Sequence, residues 1–211
     1  SECKRQLKEK KLKFFQNLYN YVSSNDGLNL TGKKVLLTDD WKLVSSEDDV
    51  LYGGGRRNPL NLAGSIKRHI HFIHNDIKIT DFREGKHRTG IAEFNTYELV
   101  KRLLKLFDKA SVPKLDLLNA LFNLQPLDTK SELEIKEKIL LPAEGNNKWL
   151  SPLTNPFYFE TDNLKELYPD GNFIKESLLK WTGEVSLAVS AKDFLTRFGV
   201  WEIPAIYIAD K

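Results

Sequence analysis

Histidine chemistry is concentrated in one short stretch of the chain. Three of the four histidines, His69, His71 and His74, lie within residues 68–76 (RHIHFIHND). Because side chains on a strand alternate between its two faces, His69 and His71 share one face and His74 points to the other. Two imidazoles on one face form half of a zinc site. The remaining ligand would come from Asp76, Asp81 or His87. Histidines alternating with Ile and Phe are also typical of a half-exposed strand, and we favour that structural interpretation, with His69 and His71 as the minority metal candidates.

A glycine-rich segment is the second place where chemistry is conceivable. Residues 52–58 read YGGGRRN, so that Arg56 and Arg57 follow three glycines. Backbone N–H groups of such loops can approach a phosphate closely. Neither a Walker sequence nor a G-x-G-x-x-G fingerprint is present, however. The segment is therefore predicted to be a surface loop, with delivery of an arginine charge to a phosphate as the alternative.

Basic residues form two local runs in a nearly balanced chain. The net charge is +3, from 32 basic and 29 acidic residues, which does not by itself indicate a nucleic-acid-binding protein. One run covers residues 8–13, and the other is Lys67-Arg68 with Arg56-Arg57 upstream. A solvated helix face and a surface loop explain them. A nucleic-acid-binding module that uses the N-terminal helix and these four residues is the alternative function.

Carboxylates and hydroxyls suggest no self-contained enzyme. Asp39-Asp40 is typical of a turn between two strands. Ser186 and Ser190 lie outside any G-x-S-x-G elbow, and no nucleophile–base pair is apparent. Aromatic residues in apolar surroundings favour core positions over base stacking; these are Trp149, Trp181, Trp201 and residues 157–159.

The elements that position these residues are mixed in type. Apolar residues at helical spacing predict helices over residues 8–24 and 95–107, and further helices over 115–124 and 131–138. Asn95 precedes Glu98 by three positions, as a capping residue does. Residues 34–38 and 42–44 are predicted to form a hairpin, and residues 70–79 to be extended.

The second half of the chain repeats the pattern of the first. Residues 33–52 (KKVLLTDDWKLVSSEDDVLY) are similar to residues 137–159 (EKILLPAEGNNKWLSPLTNPFYF). Residues 72–79 can be placed over 166–173, and a helix-bearing segment follows each. This order predicts an α+β fold of two similar helix–hairpin–helix units, duplicated from one module. The predicted domains are residues 1–112 and 113–211.

Composition places the chain in a reducing, aqueous compartment. Its one cysteine, Cys3, allows no internal disulfide, and no apolar run is long enough to cross a membrane. We therefore expect a cytoplasmic protein. The absence of methionine and the final apolar residues 206–208 are interpreted as signs of a segment cut from a larger protein.

Several of these stretches together resemble a known family. They are VLLTDDWKLVSSEDDVLY (35–52), FIHNDIK (72–78), the segment 90–104, ILLPAEGNNKWLSPLTNPFYF (139–159), ELYPD (166–170) and FLTRFGVWEIPAI (194–206). They are similar to regions downstream of the ATPase module in sacsin-like proteins, which carry an Hsp90-like (GHKL) nucleotide-binding domain. The matching features are loose hydrophobic patterns spread over most of residues 12–208.

The resemblance implies a non-catalytic structural or coupling region of a large ATP-dependent protein, either chaperone-like or part of bacterial defence or DNA processing. The GHKL motifs themselves are absent from the chain. ATP would therefore bind to a separate domain, and no cofactor is expected here. The expected partners are other domains of the same protein, protein clients or nucleic acid. By analogy with Hsp90-type middle segments, Arg56 or Arg57 would be the residue that reaches the γ-phosphate.

Overall fold

The computed structural model describes residues 2–25, 28–53, 62–79, 91–143, 148–180 and 189–202. It divides into two compact units, Ser1–Arg102 and Leu103–Lys211, each with its own helices and small sheets. The mixed α and β composition expected from the sequence is confirmed. The boundary predicted from the sequence follows Val112, just before the helix Lys114–Phe122. The structural division follows Arg102 and therefore lies within the helix Thr96–Lys105.

The first unit combines a long helix, a hairpin and a small parallel sheet. Its elements are α1 (Glu2–Ser24), β1 (Leu36–Leu37), β2 (Leu43–Val44), β3 (Val50–Tyr52), α2 (Gly64–Lys67), β4 (His71–Phe72), β5 (Ala92–Glu93) and α3 (Thr96–Lys105), which continues into the second unit. Strands β1 and β2 form the antiparallel hairpin that the sequence predicts. Strand β3 lies between β4 and β5 and is parallel to both.

Helix α1 is attached to the rest of the first unit by its second half. Phe15, Tyr19 and Val22 recur at helical spacing and are buried. The Tyr19 hydroxyl donates to the Val35 carbonyl at 2.9 Å and accepts from the Leu37 N–H at 2.8 Å. Burial raises the pKa of Tyr19 to about 12, against the opposing effect of the bond from Leu37. Tyr19 therefore joins the helix to the start of the hairpin.

Within the described ranges, the second unit has more helices than the first and a similar set of strands. Its remaining elements are α4 (Lys114–Phe122), α5 (Thr129–Lys138), β6 (Leu141–Ala143), β7 (Lys148–Leu150), β8 (Phe157–Phe159), α6 (Asp162–Leu167), β9 (Asn172–Ile174), α7 (Ala191–Arg197) and β10 (Val200–Trp201). Strands β6 and β7 form an antiparallel hairpin. Strand β8 lies between β9 and β10, again with parallel pairing.

Helix ends and apolar faces follow the sequence closely. Helix α3 begins after Asn95, whose Oδ1 accepts from the Glu98 N–H at 2.8 Å, as the capping pattern predicts. The predicted apolar stripe of this helix is buried; it consists of Leu99, Val100, Leu103, Leu104 and Phe107. In helix α7, Ser190 and Asp193 form a capping box.

The extended segment predicted over residues 70–79 is shorter than expected. Only His71–Phe72 is a strand, and a turn follows at Asn75 and Asp76. The turn interrupts the strand and is closed by the Ile77 N–H, which donates to the His74 carbonyl at 2.9 Å. The predicted final strand at residues 206–208 lies outside the described residues.

Both units have the same order of elements around the sheet. In each, a helix precedes an antiparallel hairpin, the next strand takes the centre of a parallel sheet, and one later strand pairs on each side of it. The placing of residues 72–79 over 166–173 does not match this order. Phe72 lies in β4 and pairs with the central strand, and its counterpart in β9 is Phe173.

Candidate functional site

The residues singled out in the sequence lie in different surroundings. Arg56 and Arg57, the candidates for contact with a phosphate, lie outside the described residues. Lys67 is the last residue of α2, Arg68 follows it, and both are exposed. His69 lies in the turn after α2, and His71 is the first residue of β4.

The histidine pair is therefore not carried by one continuous strand. His69 precedes β4, so the argument that it shares a strand face with His71 does not apply. Within the described ranges, no three His, Cys, Asp or Glu side chains form a group suited to a metal ion. Asp81 and His87, named as further ligands, fall outside those ranges.

The turn between β1 and β2 brings polar groups together in the first unit. The Thr38 N–H donates to the Lys42 carbonyl at 3.0 Å, and the Trp41 N–H donates to the Thr38 carbonyl at 2.9 Å. The Thr38 hydroxyl also bonds to the carboxylate of Asp40. Trp41 has a φ of 66°, a left-handed conformation that costs a non-glycine residue about 1–2 kcal/mol. The closed turn fixes Asp39, Asp40 and Trp41 relative to the hairpin.

Strand β4 holds the same turn from its other side. The Asp39 N–H donates to the Phe72 carbonyl at 3.0 Å, and the His74 N–H donates to the Leu37 carbonyl at 2.9 Å. Nδ1 of His74 accepts from the N–H of Asp76 at 3.3 Å. His74 therefore orders the turn after β4.

Trp41 is the residue on which the surrounding side chains converge. The His74 ring meets it edge-on, with 4.6 Å between centroids. From helix α1, Lys8 Nζ lies 4.7 Å and Lys11 Nζ 5.9 Å from the centre of the indole ring. Lys11 also donates to the Trp41 carbonyl at 3.3 Å. Cation–π attraction of about 0.5–1 kcal/mol per exposed pair favours this arrangement.

The two neighbouring carboxylates of the turn differ in acidity. Burial and the charge of Asp40 raise the pKa of Asp39, while the charges of Lys67 and His74 act in the opposite direction. Burial would also raise the pKa of Asp40. Hydrogen bonds from Lys42 and Thr38 outweigh that effect, so the pKa of Asp40 is lowered. Lys42 Nζ lies 2.5 Å from Asp40 Oδ2. Charges from the turn itself, from the end of α2 and from the segment that contains β4 and His74 thus act on these two carboxylates.

Sequence reasoning missed this group of residues. It treated Asp39-Asp40 as turn chemistry alone and counted the basic residues 8–13 and 67–68 as separate surface runs. Nothing in the spacing of Lys8, Trp41 and Lys67 along the chain relates them to one another. Only the pairing of the hairpin with β4 and with α1 brings them together.

The second unit carries aromatic residues at the centre of its sheet. Across three neighbouring strands, Tyr158 pairs with Trp201 on one side and with Phe173 on the other. The Tyr168 ring stacks on Tyr158, with 6.4 Å between centroids and 24° between planes. Trp201 is 57% exposed, so the expectation that it belongs to a core is wrong.

Comparison of the chain with protein-family models, with curated proteins and with solved structures gave no match. In the part of the chain that the structure describes, no helix has both the length and the apolarity needed to cross a membrane.

Proposed function

We propose that the chain is a structural and coupling region of a large Hsp90-like, ATP-dependent protein of the sacsin type. In this proposal it consists of two copies of one α+β module and carries out no catalysis of its own. ATP binds to another domain, and the partners are other domains of the same protein and protein clients. The sequence resemblance motivates the class of parent protein.

The observation that carries the proposal is the shared order of elements in the two units. Each has a helix, an antiparallel hairpin and a parallel sheet with its first strand in the centre. The central strands Val50–Tyr52 and Phe157–Phe159 both close the stretches that are similar in sequence. Repetition of one supersecondary module is typical of scaffolds, which present binding surfaces at fixed positions along a chain.

A coupling region must transmit force through its connecting elements, and helix α3 is the described element that leaves the first unit. Arg102 attaches this helix to the turn before β3. Its Nη1 lies 2.6 Å from Glu98 Oε2, and its Nε lies 3.6 Å from Asp49 Oδ1. Burial would raise the pKa of Glu98, but hydrogen bonds from Arg102 and Lys101 outweigh that effect, so this pKa is lowered. The Arg102 side chain is largely buried, so its removal leaves Asp49 without this cation.

The proposal is tested by Arg102→Ala in the full-length parent protein. We expect ATP turnover to fall roughly tenfold, equivalent to about 1.4 kcal/mol, with ATP affinity unchanged. Lys101→Ala is the matched control, because it removes a cation beside Glu98 that has no described contact with Asp49. Asp49→Asn tests the same ion pair from its more exposed side.

Two results would overturn the proposal. One is unchanged ATP turnover in folded Arg102→Ala and Asp49→Asn proteins, as judged by circular dichroism. The other is ATP hydrolysis by the purified 211-residue chain alone, since the proposal assigns nucleotide chemistry to a different domain.

A further inference from the structure

Cations from three separate stretches of the first unit border one turn. Helix α1 supplies Lys8 and Lys11, whose ammonium groups lie over Trp41. The turn itself supplies Lys42, and the end of α2 supplies Lys67. We call this group, together with Asp39 and Asp40, the basic turn surface; it is defined by Lys8, Lys11, Asp39, Asp40, Lys42 and Lys67.

Helix α1 extends this surface beyond the body of the unit. Lys4, Lys8 and Lys11 follow one another at spacings of four and three, and Phe15 continues the same line four residues later. Phe15 is buried, whereas residues 2–10 are all exposed. The basic line is therefore the solvent-facing continuation of the face by which α1 packs on the unit.

The carboxylates distinguish this surface from a uniformly positive one. Lys42 Nζ lies 2.5 Å from Asp40 Oδ2, and the charge of Lys67 acts to lower the pKa of Asp39, so acidic and basic groups share one neighbourhood. The two carboxylates repel phosphates, whether these belong to an anionic lipid surface or to a nucleic acid. A nucleic acid carries both phosphates, which attract lysine, and base amino groups, which donate hydrogen bonds to carboxylates.

We propose that the basic turn surface binds single-stranded nucleic acid, with the lysines on phosphates and Asp39 and Asp40 on exposed base amino groups. A single strand is favoured over a duplex because its unpaired bases can present these groups to the turn. This binding is separate from the coupling function proposed above and does not depend on ATP.

The test measures binding of the 211-residue chain to fluorescent 20-mers of oligo(dC) and oligo(dT) over a range of salt concentrations. Cytosine has an exocyclic amino donor and thymine has none. We expect salt-sensitive binding with a preference for oligo(dC). Lys8→Gln/Lys11→Gln should reduce the slope of log K against log salt by about 1.4, or about 0.7 for each lost phosphate contact. Lys109→Gln/Lys136→Gln, which removes two exposed lysines of the second unit, should leave the slope unchanged.

The carboxylates are tested by Asp39→Ala/Asp40→Ala. This variant removes two negative charges and, unlike an Asn variant, leaves no side-chain acceptor for a base amino group. Binding to oligo(dT) should therefore become stronger while the preference for oligo(dC) is lost. Absence of binding to either oligonucleotide at about 50 mM salt overturns the proposal. An unchanged slope in Lys8→Gln/Lys11→Gln also overturns it. Vesicles containing phosphatidylserine are the third probe, and tighter binding to them than to oligo(dC) would assign the surface to a membrane instead.

Discussion

The two units of this protein share an arrangement of strands but differ in what the strands expose. At the centre of the first sheet, Leu51 pairs with Phe72 and Ala92. At the centre of the second, Tyr158 occupies the corresponding place, with Phe173 and Trp201 beside it. Leu51 is fully buried, whereas its counterpart Tyr158 is only partly buried and the neighbouring Trp201 is 57% exposed.

The hairpins differ in a similar way. In the first unit, the Tyr19 hydroxyl and the His74 N–H both hydrogen-bond to the backbone of Leu37 in β1. The ammonium groups of two lysines from α1 lie over the Trp41 ring in the turn. In the second, the helix that precedes the hairpin, α5, buries an apolar residue, Ile135. The comparison teaches that both units keep one order of elements with buried apolar residues in the corresponding strands. Polar and aromatic residues then give each unit its own surface on that common arrangement.

The largest expected effect comes from the central row of the first sheet. Leu51→Ala removes a fully buried side chain and should lower the free energy of unfolding by about 2–5 kcal/mol. Trp201→Ala, at an exposed place in the corresponding row, should change it by less than about 1 kcal/mol. Urea denaturation measures both. If both variants lost the same free energy of unfolding, the central residues of the two sheets would be equally buried. The proposed contrast between the units would then be wrong.

The next effect concerns the bond between helix and hairpin in the first unit. Tyr19→Phe deletes the acceptor of the Leu37 N–H and leaves that buried group unsatisfied, at a cost of about 1–3 kcal/mol. Tyr21→Phe is the control, because Tyr21 is 61% exposed on the same helix. Hydrogen exchange should show faster exchange at residues 36–44 in Tyr19→Phe alone. Exchange that accelerates equally in the peptides of the second unit would contradict a local role.

The smallest effect separates the two carboxylates of the turn. Because the pKa of Asp39 is raised above its ordinary value of 3.8, its ionised form destabilises the fold, and this penalty disappears as pH falls below 3.8. Asp40 has a lowered pKa, so its stabilising effect is present above pH 3.8 and is lost as pH falls through its folded pKa.

At pH 7, Asp39→Asn should therefore increase stability and Asp40→Asn should decrease it, each by less than about 1 kcal/mol because the groups are partly solvated. Thermal unfolding between pH 7 and pH 3 measures both changes, and each difference from the parent chain should shrink toward low pH. If both substitutions changed the stability at pH 7 in the same direction, the surrounding groups would not affect Asp39 and Asp40 in opposite ways, and this prediction would be wrong.

Local periodicity was sufficient to predict much of the fold. The helix beginning after Asn95, the hairpin around residues 36–44 and the two helices before residue 139 all follow from apolar spacing and capping residues. The extended segment after residue 70 was predicted too long, because the preferences of Asn75 and Asp76 for a turn outweighed the alternation before them. The alignment of residues 72–79 with 166–173 had the wrong register, because it too was guided by turn residues. That alignment placed the turn residues Asn75 and Asp76 over residues 169–170. In the structure, Phe72 and Phe173 occupy equivalent positions, because each pairs with the middle residue of its central strand.

The sequence by itself determined the mixed helix and strand content, the hairpin around residues 36–44 and the buried face of α3, because each depends on spacing within a short stretch. Tertiary structure alone decided that Lys8, Trp41, His74 and Lys67 share one neighbourhood. It also decided that Leu51 is buried while Trp201 is exposed. These outcomes depend on contacts between residues far apart in the chain, and such contacts leave no periodic pattern in the sequence.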